Sequence, residues 1–214
     1  MVRTQIRSPR IIMDNILRNF FQNQLTEHEL VIKKVKENLE DNFLKIVNIC
    51  YKSIQNKNKL IFFGNGGSAS DAQHLSTELT VRFSKNRRAI PALSLVTDTS
   101  TISAISNDLG FEFLFSRQIE ALGKKGDVAI GITTSGKSKN VIMGLNYAKK
   151  NGLKTIAFTG KNIKNIEKIS DAIISIPAIN TSRIQESHIL VGQMLCNALE
   201  FKLKLAPLVN EQKK

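Results

Sequence analysis

Two short stretches of this chain hold residue types that grip phosphate esters. Gly64-Asn-Gly-Gly-Ser68 runs directly into Ala69-Ser-Asp-Ala-Gln-His74. Glycines let a backbone turn sharply and approach a ligand, and a helix start offers free N–H groups and a positive dipole end to an anion. The spacing is neither the phosphate-binding P-loop, which needs Lys-Ser or Lys-Thr, nor the dinucleotide fingerprint, so no nucleotide cofactor is implied. Further on, Thr133-Thr-Ser-Gly-Lys-Ser138 sets four hydroxyls in six residues. Such short donors can join helix N–H groups around a phosphate. The plain alternatives are an ordinary strand-to-helix turn and a Ser138 that only caps the next helix.

His74 and Glu78 lie four residues apart and share a helical face, which brings an imidazole beside a carboxylate close to the first loop. That pair could be acid–base machinery or half of a metal site. Arg183-Ile-Gln-Glu-Ser-His188 opens the last long helical run, whose apolar stripe is Ile184, Val191, Leu195 and Leu199. His188 falls on that stripe and reads as a packed core histidine rather than a ligand.

The elements that must position these residues are legible in the pattern. Before residue 57 the chain is helical: Ile12, Ile16, Leu17, Phe20 and Phe21 recur at helical spacing, and Thr26 with Glu29 resembles the N-cap of a second helix. Beyond it come apolar runs at 60–64, 92–96, 128–133, 155–159 and 172–176. Helical stretches alternate with them at 70–83, 99–107, 114–122, 139–151 and 183–205. Strands without polar alternation, separated by helices, mean a parallel sheet covered on both faces. The expected fold is a doubly wound, five-stranded α/β sandwich with N-terminal helices, and its ligands sit at the carboxyl ends of the strands. The expected division is a helical segment 1–56, packing on the core and on neighbouring subunits, a sugar-phosphate-binding domain 57–206 and a disordered tail 207–214.

Composition narrows the classes. No apolar stretch is long enough to span a membrane, and Cys50 and Cys196 have no metal-like spacing, so they read as buried thiols of a reducing, cytoplasmic compartment. Thirty-one basic against eighteen acidic side chains give a net charge of +13. The basic residues are scattered among acids and not interleaved with aromatics, which argues against nucleic acid. A positive field would still draw in a phosphorylated substrate.

Taken together, Gly64–Ser68, Asp71-Ala-Gln-His74, Glu78-Leu79, Asn107-Asp108, Phe115-Ser-Arg117, Thr134-Ser-Gly136 with Ser138, and Arg183-Ile-Gln-Glu186 resemble the sugar isomerase domain superfamily. Within it they are most similar to the phosphoheptose (sedoheptulose 7-phosphate) isomerases, over about residues 30–205. The resemblance implies a homotetramer with active sites between subunits. Its substrate is an open-chain ketose phosphate, isomerised to D-glycero-D-manno-heptose 7-phosphate for the heptose of bacterial surface polysaccharides. By position, Ser68, Thr133, Thr134, Ser135 and Ser138 would hold the phosphate. Asn65, Gly66, Gly67, Asn107, Asp108 and Gln185 would line the sugar chain. Glu78 would be the base, and His74, Glu78 and Gln185 match three of the four ligands of the zinc-containing members. The family's second acid–base histidine and fourth zinc ligand, eight residues after that glutamine, is Gln193 here. Initiator-associating proteins of bacterial replication share the fold and lack the same histidine. A non-catalytic tetramer, acting as such a regulator or as a sugar-phosphate sensor, is therefore the alternative; the presence of Glu78, absent from those regulators, speaks for the enzyme.

Overall fold

The structure, a computed structural model, describes residues 9–208. Five strands, β1 (Leu60–Gly64), β2 (Ala92–Ser94), β3 (Val128–Thr133), β4 (Lys154–Thr159) and β5 (Ala172–Ser175), form one sheet in the order β2-β1-β3-β4-β5. Every neighbouring pair is parallel. All residues of β1 and β3 are buried, as central strands covered on both faces must be. Leu60 and Phe62 point into one core with Ile46, Leu75 and Leu195; Ile61 and Phe63 point into the other with Phe115, Ile119 and Leu145.

Seven helices complete the described fold: α1 (Pro9–Asn38), α2 (Glu40–Gln55), α3 (Gly67–Thr80), α4 (Thr99–Asp108), α5 (Leu114–Leu122), α6 (Lys139–Lys150) and α7 (Thr181–Lys202). The chain steps from β1 to β2 on one side and returns to β3 on the other, so the strand order reverses between β1 and β3. In open α/β sheets that reversal opens a crevice at the carboxyl ends of the strands. The register pairs Gly64 with Ile132, so the loops after β1 and β3 leave the sheet at the same rim.

Three expectations are corrected. Thr26 is no N-cap: it lies inside the continuous α1, and the break comes at Leu39. The Thr-x-x-Glu signal is overridden because α1 is tied to α7 at this point, by His28 Nδ1 to Glu186 Oε2 at 2.7 Å and by Arg183 donating to the carbonyl of Gln24. The second strand stops at Ser94 rather than at residue 96, since it is an edge strand with β1 as its only partner. The helix expected over 70–83 is α3, which starts three residues earlier, at Gly67, and ends three earlier, at Thr80. It ends there because Glu200 accepts from the backbone N–H groups of Phe83 and Ser84, which a continuing helix would have used itself.

No helix among the described residues is long and apolar enough to cross a membrane. Cys50 and Cys196 are buried free thiols, and burial pushes both well above the ordinary thiol range. Most of the tail expected at 207–214 lies outside the described residues, as do the first eight.

Candidate active site

Both glycine- and hydroxyl-rich loops end in helix starts that lack a side-chain cap. Gly66, at the N-cap of α3, has φ +56° and no side chain to offer; Ser138, at the N-cap of α6, makes no capping bond. Elsewhere on the sheet α4 is capped by Asp98 and α7 by Asn180. The plain reading of Ser138 as a cap therefore does not hold: its hydroxyl turns instead to Thr133 Oγ1, 3.0 Å away. Two open helix N-termini at one rim, each beside serine or threonine hydroxyls, suit a dianion. Ser68 and Thr133 are almost fully buried, while Ser135 is exposed and accepts from the backbone N–H of Lys137.

The loops are held by residues the sequence alone did not single out. Asn140, buried on α6, exchanges two amide hydrogen bonds of 2.8 and 2.9 Å with Asn65. Asn65 thus has both side-chain atoms engaged and locks the first loop to the helix of the second. Asn162 donates to the carbonyl of Ser135 at 3.2 Å and supports the second loop from outside. Isolated asparagines carry no local signal of a partner 75 residues away, which is why the pattern could not show them.

On α3 the expected pair is formed: His74 Nε2 and Glu78 Oε1 are 3.0 Å apart, with 47% and 22% of the side chains exposed. Asp71 lies on the same face, a turn earlier. Its Oδ2 is buried without a partner among the described residues. Burial raises its carboxyl to about 6, against the opposing pull of His74. Two carboxyl groups flanking an imidazole thus follow one another along the helix that begins at the first loop.

From α7, Gln185 lies over the first loop so closely that any side chain on Gly67 would collide with its carboxamide. A Cβ at 67 would push that carboxamide aside. Gln193 is half-buried and follows Gly192, where α7 comes so close to Leu75 of α3 that a Cβ would clash. His188 is a core residue, as its place on the stripe indicated: it is fully buried, packs on Phe158 at 5.8 Å and bonds the Thr159 carbonyl. Burial lowers its imidazole to about 4, only partly offset by that bond, so it stays neutral.

Asn107 and Asp108 stand apart. They end α4, are exposed, and bond each other at 2.7 Å. Asp108 lines a separate concavity with Arg117, Tyr147 and Lys150. That concavity runs along α6 from Met143 to Lys150, and no residue of the two loops lines it.

As a zinc centre the set is short of donors. His74 and Glu78 bond each other, Gln185 and Gln193 are carboxamides, and no group of three or more His, Cys, Asp or Glu residues among those described could hold a metal. Catalytic zinc sites use three strong protein ligands. The residues present do not fit that requirement.

A parallel sheet in this order, with two open helix starts at its switch point, defines a doubly wound α/β domain that can take an anion at the carboxyl ends of its strands. A SIS-domain family model matches residues 25–160. Phosphoheptose isomerases are similar over nearly their whole length: that of Nitratiruptor sp. is 46% identical over 179 residues, 84% of this chain and 96% of its own. That of Aquifex aeolicus is 51% identical over 155 residues, 72% and 81% of the two chains. The phosphoheptose isomerase structure from Neisseria gonorrhoeae superposes with a TM-score of 0.81 at 34% identity, covering 86% of this chain and 99% of that one. The chain belongs to the phosphoheptose isomerase family of SIS-domain proteins.

Proposed function

We propose that this protein isomerises D-sedoheptulose 7-phosphate to D-glycero-D-manno-heptose 7-phosphate through an enediol, supplying heptose for surface polysaccharide. The observation that carries this reading is the placing of Glu78 on the very helix whose uncapped start, with that of α6, faces one rim of the sheet. Ser68, Thr133, Thr134, Ser135 and Ser138 bind the phosphate, aided by the open N–H groups of α3 and α6. The positive field of the +13 chain draws the dianion in.

With the phosphate anchored, the open carbon chain runs between α3 and α7. Glu78 removes the proton from C1 of the ketose, and the electron pair of that bond forms the enediolate. The hydroxyl proton of O1 passes to the neighbouring O2 of the cis-enediolate, and the same carboxyl returns its proton to C2 as O1 becomes the carbonyl, giving the aldose. His74, with its Nε2 proton, donates to Glu78 and fixes the carboxylate's orientation. Gln185 and Gln193 offer carboxamide N–H groups to the oxygens on C1 and C2. A carboxamide does not exchange protons near neutral pH, so Gln193 stabilises the enediolate as a donor and does not act as a second acid–base group.

We further propose a homotetramer. Phe20 and Phe21 on α1 are 59% and 58% exposed, with Ile16, Leu17 and Leu25 beside them, an apolar stripe suited to a second subunit. In such an assembly Asn107 and Asp108, at a concavity that no loop residue of their own chain lines, would serve a neighbour's sugar. Purified protein mixed with sedoheptulose 7-phosphate and followed by NMR tests the function: heptose 7-phosphate accumulates, and its absence, with or without added zinc, refutes the reading. The replication-regulator alternative predicts no turnover and retention of the initiator protein in a pull-down.

A further inference from the structure

Glu78 lies in the last turn of α3, and helix ends fray because their final carbonyls lack partners. Here one downstream side chain takes those carbonyls. Arg87 donates Nη2 to the carbonyl of Glu78 itself at 2.8 Å and Nη1 to that of Leu79 at 2.7 Å. Longer Nη1 contacts reach Val81 and Arg88. Its Nε donates to Glu200 Oε1 at 2.7 Å. Glu200, on α7, also accepts from the backbone N–H of Phe83 at 2.8 Å, from that of Ser84 at 3.2 Å and from the Ser84 hydroxyl at 2.8 Å. The two side chains are 2% and 0% exposed.

A buried ion pair is a poor route to stability, since a well-packed apolar pair often serves as well. Its geometry is the distinctive part. The guanidinium joins the helix of Glu78 to the helix of Gln185 and Gln193. With Gln185 over Gly67 at one end and Gly192 against Leu75 in the middle, it gives α3 and α7 a third fixed point, beside Glu78. It is also a cation at a helix C-terminus, where the dipole favours one.

We infer that Arg87, pinned by Glu200, is the positioning residue for Glu78, holding the last turn of α3 so that the carboxylate meets C1 and C2. The inference rests on the reading of Glu78 as the base. It is tested on the full chain with Arg87→Met and Arg87→Lys, well below the lowest melting temperature found. Binding-competent sites are counted by calorimetry with the reduced substrate analogue, the heptitol 7-phosphate. Turnover per counted site falls about tenfold or more in both variants, in line with the cost of an ångström-scale displacement of a catalytic group. Affinity for the analogue changes less than about threefold, because the phosphate loops are untouched. The primary isotope effect with sedoheptulose 7-phosphate deuterated at C1 rises, as proton transfer becomes the slow step. A merely structural arginine would reduce the number of competent sites and leave turnover per site and the isotope effect at wild-type values; that result overturns the inference. Should Arg87→Met not fold, Arg87→Lys and Glu200→Gln carry the same readings. Glu78→Gln run alongside separates the two claims. If it turns over normally, the base assignment fails and takes the positioning role with it; if it is inactive while folded Arg87 variants are normal, only the positioning role fails.

Discussion

Glu78 and Glu200 are joined through a single arginine, yet their surroundings are opposite. Glu200 is fully buried and accepts four hydrogen bonds. Burial alone would raise its carboxyl, but the donors of Phe83, Ser84 and Arg87 outweigh it and hold the group below the usual range. Glu78 keeps 22% of its side chain open to solvent and has one side-chain partner among the described residues, His74. A carboxylate saturated with donors is locked as an anion and holds chain segments together. One with spare lone pairs and open space can take a proton from a substrate. The two histidines repeat the contrast: His188 is walled into the core and stays neutral, whereas His74 stands half-open beside the base.

The sharpest way to break this comparison is to remove one charge from each glutamate. Glu78→Gln lowers kcat about 1000-fold, the range of a lost acid–base group, and leaves the thermal midpoint near that of the wild type. Glu200→Gln leaves Arg87 buried without its anion and destabilises by about 3 kcal/mol or more, read by denaturant titration. Equal stability of the two variants would erase the distinction.

The phosphate loops come next. Ser68→Ala and Ser138→Ala each raise KM about 10- to 100-fold, the worth of one hydrogen bond to a charged group, with kcat changed far less. A fall in kcat at constant KM would move these hydroxyls from the phosphate to the reacting carbons.

Asp71 sharpens the comparison from within the site. Its folded-state carboxyl is raised to about 6, so between the ordinary carboxylate value and 6 the native state binds more protons than the unfolded one. Stability from this group therefore falls as pH rises through that window. Asp71→Asn removes the penalty and stabilises by about 1–2 kcal/mol at pH 7, with no gain at pH 3. Melting curves at both values check it; an equal gain at both would assign the effect to something other than ionisation.

The smallest expected effect is at Gln193. Gln193→His adds a third strong donor beside His74 and Glu78, and zinc affinity measured by calorimetry rises about tenfold or more. Unchanged zinc binding would show that residue 193 does not reach those two side chains.

Much of this architecture is legible in the residue pattern itself. The runs at 60–64 and 128–133 became β1 and β3 without a shift, since a central parallel strand is apolar throughout and cannot be mistaken for an alternating one. His188 was placed correctly by its stripe. Thr26 misled because a capping box is a local signal, and the bonds from His28 and Gln24 to α7 are not local. The same reason hid Asn140 and Glu200: their partners lie 75 and more than 110 residues away, and nothing in residue spacing encodes such pairs. Asn107 and Asp108 were legible as a motif, but their place in a separate concavity follows from α5 and the turn at 111–113 packing on α6.

The central claim is that two open helix starts hold a phosphate while Glu78 reaches C1 and C2 of the attached sugar. A crystal structure of Glu78→Gln soaked with sedoheptulose 7-phosphate tests it most directly. The account predicts the phosphate between Ser68 and Ser138 and the carboxamide at residue 78 within about 3.5 Å of C1 and C2. A phosphate bound elsewhere, or a carbon chain running away from α3, contradicts it.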